Sequence, residues 1–289
     1  MDSSAPQRDA SKTAIQVDVA HVSKVHHSMK GEPLLALLDV NFQVVRNEFF
    51  SIVGPSGCGK TTLLNLLAGF EQPTRGELKV GGELITEPGW ERAVVFQEYA
   101  LFPWYTVVQN IRYGLQRKRV PEAEQRRLVD HYIGLVGLRG FESRYPRELS
   151  GGMRQRVSIA RALAVNPSIL LMDEPFASLD VQTREYMQDE LLKIWQREPK
   201  TVIFVTHSID EAIKLSDRVA IMGPRPGRVE EIKVVPFDRP RDPTNPGVVG
   251  LAAEVKLWLR QQVFESRTES GREMADRRDR DAAQRSAGA

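Results

Sequence analysis

The chain has 289 residues, 41% hydrophobic and 27% charged, enough to bury a full globular core, and its 40 basic and 38 acidic side chains leave a net charge of +2. Charges of both signs alternate along it, so there is no extended positive field for wrapping nucleic acid, and none is expected as a partner. Apolar runs such as Ile169–Met172 and Val202–Val205 have strand length and fall far short of the roughly 18 to 20 residues of a membrane-spanning helix.

In chain order, the opening "MDSSAPQRDASKTA" lacks the apolar centre of a secretion signal, and residues 1–13 read as a flexible tail. The single cysteine, Cys58, has no partner for an internal disulfide, which fits a reducing, cytoplasmic setting. Short β-branched runs at 15–22, 41–45, 49–53, 93–96, 169–172, 202–205 and 218–222 predict strands. Helical patterns fall between several of them, the signature of an α/β sheet with crossover helices. Between Tyr99 and Leu163 the strand signal stops. There "PEAEQRRLVDHYIGLVGL" places Leu128, Tyr132 and Val136 at four-residue spacing, and a helical insertion over about 98–163 is expected within a main domain spanning 14–235. After Met222, "GPRPGRVEEIKVVPF" reads as a turn and a strand, followed by a proline-rich connector and a helix from about Val248 to Phe264, an extension over 236–265. Residues 266–289 are charged and nearly free of apolar side chains, so they cannot offset their own ordering entropy and read as a solvated, disordered tail, with a regulatory or partner-binding tail as the alternative.

Three motifs carry chemistry. "FFSIVGPSGCGKTTLLNLLAG" is a buried strand, a phosphate loop and an apolar-periodic helix: Gly54, Pro55, Ser56, Gly57, Cys58, Gly59, Lys60, Thr61 and Thr62 cradle a phosphate with backbone N–H groups. Lys60 brings a point charge to the β and γ phosphates of ATP, and the Thr61 hydroxyl is a Mg²⁺ ligand. Cys58, near a helix N-terminus and Lys60, reads either as a stabilised, reactive thiolate that ATP would shield or simply as a small residue that fits. "SILLMDEPFASLD" delivers Asp173 and Glu174 to a strand end, with Asp173 on the Mg²⁺ shell and Glu174 orienting or deprotonating the attacking water. Third, Ser150, Gly151 and Gly152 in "LSGGMRQRVSIARAL" stand before a basic helix with Val157, Ala160 and Ala164 on its apolar face, a second surface able to meet an anion. Two such surfaces in one chain suit two copies packed head to tail, each closing the other's nucleotide.

"LSGGMRQR" resembles the signature of ABC transporter ATPase subunits, and the family's other motifs appear in order over about Val17 to Val235. The resemblance implies a P-loop ABC ATPase core, a mixed sheet with an antiparallel β subdomain and an inserted α-helical signature subdomain. It implies roles for Gln97 on the Mg²⁺ site, for Ser178, Leu179 and Asp180 across a dimer interface, and for His207 on the γ-phosphate. Two residues depart from the family pattern: Met153 stands where glutamine is usual, and His26 or His27 where an aromatic ring would stack on adenine. "QEYALFPWYTVVQNIRYGL" and "LSDRVAIMGPRPGRV" are similar to importer ATPases for nitrate, bicarbonate, sulfonate and taurine. The partners so implied are a second ATPase subunit, integral membrane permeases met by "YALFPWYTV" and, indirectly, a solute-binding protein, at the cytoplasmic face of the inner membrane. A soluble ABC switch acting on ribosomes or DNA, a small-molecule kinase and a lipid or lipoprotein mover are the alternatives. The first usually carries tandem cassettes or long coiled-coil insertions, and the kinase would have no use for Leu149–Gly152. His21, His26, His27 and His131 lack metal-ligand spacing.

Overall fold

The computed structural model describes residues 14–27, 31–262 and 264, so the tails read at 1–13 and 266–289 lie outside the described residues. Two sheets form. The first is antiparallel, with β1 (Ile15–His27), β2 (Pro33–Val45), β4 (Arg75–Val80) and β5 (Glu83–Leu84) in the order β2-β1-β4-β5. The second contains β3 (Phe49–Val53), β6 (Arg92–Val95), β7 (Ile169–Asp173), β8 (Thr201–Thr206), β9 (Arg218–Met222) and β10 (Val229–Val234) in the order β10-β9-β3-β8-β7-β6. Its strands are parallel except for the antiparallel β9–β10 pair. Every residue of β3 and β8 is buried, which is why these strands read as continuous apolar runs rather than alternating ones.

Helix α1 (Lys60–Ala68) brings Leu63, Leu64, Leu66 and Leu67 into one core with Val17, Leu37 and Leu78 of the antiparallel sheet and Phe50, Ile52, Leu171 and Ile203 of the parallel one. The helical insertion comprises α2 (Val107–Arg117), α3 (Glu122–Leu135), a 3₁₀ turn at Pro146–Glu148 and α4 (Gly151–Ala164). Thr106 and Gln109 start α2 with reciprocal side-chain-to-backbone bonds. In α3 the buried face is Val129, Tyr132 and Ile133, with Val136 at the cap, whereas Leu128 is only half-buried. A strict spacing of four advances about 40° per step around a 3.6-residue turn, so the expected trio drifts off the true face.

Helices α5 (Val181–Arg197), α6 (Ile209–Leu215) and α7 (residues 246–262) complete the described residues. Two strands escaped the sequence reading. β4 exposes three of its six residues and β5 exposes both, so neither carries an apolar run. β1 and β2 extend well beyond their expected ranges because irregularities in their pairing, with His21 and Asp39 at positive φ, break the period-two pattern without ending the strands.

Candidate nucleotide-binding site

β3 ends in the loop Gly54–Gly59, which turns into α1 through Gly57 at φ +79° and Gly59 at φ +98°, backbone positions that L side chains rarely adopt. Gly59 is also closely covered, since a Cβ there would lie 2.7 Å from Leu37 Cδ2. Lys60 folds back over its own loop and donates to Gly54 O at 2.9 Å and Pro55 O at 3.1 Å. Its ammonium is thus held at the mouth of the backbone cradle, opposite the N–H groups, where a phosphate oxygen can replace a carbonyl as acceptor.

Of the two readings of Cys58, the structure favours the small packed residue over the reactive thiolate. Cys58 is 1% exposed, and burial pushes its pKa up against the opposing pull of Lys60 and of backbone N–H groups. Desolvation exceeds the attraction of a lysine whose charge is already shared with two carbonyls. The Cys58 side chain is core; only its backbone belongs to the loop.

Strand β7 lies beside β8, which lies beside β3, and brings Asp173 Oδ1 to 3.5 Å from the Thr61 hydroxyl, which donates to it. Burial raises the Asp173 carboxyl above its usual range, with the neighbouring Glu174 adding to the effect. Glu174 has already left the strand: it sits at φ +43° while its N–H donates to Val205 O at 2.9 Å. That left-handed turn aims its carboxylate at His207, whose Nδ1 donates to Glu174 Oε2 at 2.9 Å. The two carboxylates are therefore separated by a backbone turn as well as by strand alternation.

Gln97 lies exposed just after β6, in a loop carrying Tyr99 and Ala100 at positive φ. Arg161 of α4 donates to Ala100 O at 2.7 Å and to Tyr99 O at 3.2 Å, tying that loop to the helix. Ser150 caps α4, accepting from Met153 N–H at 3.3 Å. Gly151 faces Leu179 and the Tyr99 hydroxyl, with an added Cβ only 3.1 and 3.2 Å from them, and Tyr99 shares a 2.9 Å hydrogen bond with the Ser178 hydroxyl. Asp180 caps α5 through Thr183 N–H at 3.0 Å, which lowers its pKa. Tyr99 and Ala100 of the loop after Gln97, Ser150–Gly152 and the turn at Ser178–Leu179 thus lie along one continuous run of contacts. Among the described residues no hydrogen bond joins Ser150–Gly152 to the phosphate loop of the same chain.

Several residues important to this arrangement were not singled out from sequence. Tyr99 bridges two loops. Glu211 is buried and accepts from Thr206 Oγ1 at 2.6 Å and Gln188 Nε2 at 3.1 Å, while Arg184 beside it donates to Leu179 O at 2.9 Å. This group joins the strand end before His207 to the loop before α5. Its only sequence signal is a glutamate and a glutamine at helical positions that also suit a solvated face. Of the two histidines considered for adenine, His26 faces α1, its Nε2 3.5 Å from the Thr62 hydroxyl and its Nδ1 3.7 Å from Glu71, whereas His27 is exposed at the end of β1.

A phosphate loop, a half-buried aspartate at a nearby strand end and a glutamate–histidine pair beside them define a P-loop nucleotide hydrolase. Residues 37–177 match the ABC transporter family. The bicarbonate transport ATP-binding protein CmpD of Synechocystis is 47% identical over 235 residues, covering 80% of this chain and 83% of CmpD. The nitrate import ATP-binding protein NrtD of Synechococcus elongatus is 47% identical over 224 residues, 76% of this chain and 81% of its own. The taurine import ATP-binding protein TauB of Pelagibacter ubique is 46% identical over 217 residues, 75% and 82% respectively. In three dimensions the ATP-binding cassette MJ0796, solved as a post-hydrolysis dimer with ADP and Pi, superposes with a TM-score of 0.66 at 32% identity, over 77% of this chain and all of that one. The chain belongs to the ABC transporter family, as an ATP-binding subunit with ATPase activity. Among the described residues no helix is long and apolar enough to cross a membrane.

Proposed function

We propose that this protein is the ATP-hydrolysing subunit of an importer for a small anion such as nitrate, bicarbonate, a sulfonate or taurine, working as a head-to-tail dimer with separate membrane permeases and a solute-binding protein. The observation that carries the reading is the separation of two anion-facing surfaces within one chain, the Gly54–Thr62 loop and the Ser150–Gly152 turn, with no hydrogen bond between them. ATP held by the first leaves its γ-phosphate exposed until the second, from a partner copy, covers it. The dimeric MJ0796 cassette supports that geometry, and the relatives' names support the solute class.

The residues present fit Mg²⁺. Thr61 and Asp173 converge as hard oxygen donors, and the raised Asp173 pKa marks a carboxylate that gains from a nearby cation; the family resemblance adds Gln97, exposed just after β6, to the set. Bound there, the ion would neutralise charge on the β and γ oxygens. Lys60 exchanges a loop carbonyl for a phosphate oxygen. Glu174, held off the strand and hydrogen-bonded to His207, orients the attacking water and takes its proton; His207 contacts the γ-phosphate. Each phosphate-facing contact adds electrostatic bias toward the closed dimer, and loss of the γ-phosphate removes it. The exposed part of "YALFPWYTV" next to Gln97, with Trp104 66% exposed and packed on Phe102 and Tyr105, forms the landing surface for a permease helix at the cytoplasmic face of the membrane, while Val107 belongs to the core.

The test is turnover against protein concentration. Specific ATPase activity should fall on dilution below the dimer dissociation constant, and Ser150→Ala combined with Gly151→Val should abolish it while leaving ATP binding to the monomer. Constant specific activity down to strictly monomeric protein would overturn the reading.

A further inference from the structure

Helix α6 begins two residues after His207 and has only seven residues, too few to hold its shape alone in water, so its order comes from its neighbours. Ile209, Ala212 and Ile213 share one core with Val53, Val219 and Ile221 of the parallel sheet and with Val248, Ala252 and Val255 of α7. The C-terminal extension therefore closes the outer side of the helix that follows the switch histidine.

Two cations of the extension grip the ends of that helix. Arg241, in the connector between β10 and α7, is 7% exposed and donates to Ile213 O at 2.6 Å and Lys214 O at 3.1 Å in the last turn of α6. It also donates to Phe237 O at 2.9 Å and Val235 O at 3.4 Å, so its guanidinium meets four carbonyls. Burial brings its pKa down to about 10, which keeps it protonated at neutral pH, a full positive charge at the negative end of the helix. At the opposite end Lys256 of α7 donates to both carboxylate oxygens of Asp210, at 2.7 and 2.8 Å, in the first turn of α6. Neither cation makes a hydrogen bond to the phosphate loop or to Glu174.

We propose that residues 236–262 position the switch histidine: Arg241 and Lys256 hold α6 at its two ends and so set His207 against Glu174. Arg241 and Lys256 are positioning residues, and the proposal rests on the reading of His207 as a γ-phosphate contact. A 1 Å misplacement at a reacting centre can cost on the order of a hundredfold in rate, so modest loosening of α6 is enough to matter.

The experiment is steady-state ATPase kinetics on the full chain, with folding checked by circular dichroism. Arg241→Met should lower kcat about tenfold or more while the KM for ATP changes little. Lys256→Met should lower kcat by about twofold, as an exposed pair is worth little, and the exchange of Asp210→Lys with Lys256→Asp should restore it. In a His207→Ala background, Arg241→Met should have no further effect, because there is no longer a histidine to position. A folded Arg241→Met protein with full kcat, or one whose loss is undiminished in the His207→Ala background, overturns the proposal. If Arg241→Met does not fold, the Lys256–Asp210 exchange decides: rescue supports the proposal, and an unchanged kcat in Lys256→Met overturns it. A His207→Ala protein that turns over at the original rate removes the underlying reading and the proposal together. That pattern differs from failure of the positioning role alone, in which His207→Ala is slow and Arg241→Met is fast.

Discussion

Gly227 lies far from the phosphate loop in sequence and against it in space. Its N–H donates to Ala36 O at 2.9 Å, its carbonyl accepts from Leu38 N–H at 3.0 Å, and a Cβ built on it would lie 1.8 Å from the Cys58 carbonyl oxygen. Its backbone does not need a left-handed conformation, so substitution is opposed by space alone. In Gly227→Ala the Cys58 carbonyl must retreat by more than an ångström merely to reach the 3.0 Å that real Cβ atoms essentially never undercut. Cys58 O and the Gly59 N–H belong to one rigid peptide plane, so moving the first swings the second away from a bound phosphate. Loss of one N–H hydrogen bond to a charged phosphate is worth about 1.5–3 kcal/mol, so ATP affinity should fall on the order of tenfold to a hundredfold. Titration of a fluorescent ATP analogue into nucleotide-free protein measures it. Gly82→Ala is the control: φ is +87° and nothing lies within 4 Å, so it should cost roughly 1–2 kcal/mol of stability through the backbone and leave ATP affinity unchanged. Equal ATP affinity in Gly227→Ala and the parent protein would refute the claim that this turn buttresses the loop.

Glu174→Gln keeps shape and removes the base, so it should bind ATP normally, lower kcat by about a hundredfold or more and accumulate an ATP-bound dimer in size-exclusion chromatography; hydrolysis at the parent rate would take Glu174 out of its role. Because burial raises the Asp173 pKa in the folded state, ionising it costs stability as pH rises through that value. Asp173→Asn should therefore raise the Tm of nucleotide-free protein at pH 7, the gain shrinking as pH falls toward the usual carboxylate range, and a lower Tm at pH 7 would count against it. The raised pKa and burial of Cys58 should leave it unmodified when native protein is treated with iodoacetamide near pH 7.5 and alkylated once the chain is unfolded; rapid labelling of folded protein would contradict that.

Much of the site was legible because its parts are local. A strand, a glycine loop and a helix in immediate succession specify a phosphate cradle whatever surrounds them, since the backbone N–H groups and the lysine all come from Gly54–Thr62. Asp173 and Glu174 were readable for the same reason: a short buried run ends on them. The parallel strands too were visible as apolar runs, while β4 and β5, exposed over half or all of their length, were not.

What only the tertiary structure decided concerns groups whose partners are distant in the chain. The chemistry of Cys58 hinged on whether desolvation or the nearby lysine dominates, and its burial needs Met222 and the strands around it as well as the loop. Arg241 reads as one more surface cation in a proline-rich connector until α6 supplies carbonyls for it, 27 and 28 residues away. By itself the sequence determined that this chain binds and cleaves a nucleotide, because that chemistry needs only neighbouring residues; which side chains are buried, and which ones brace His207, follows from long-range packing that no local pattern encodes.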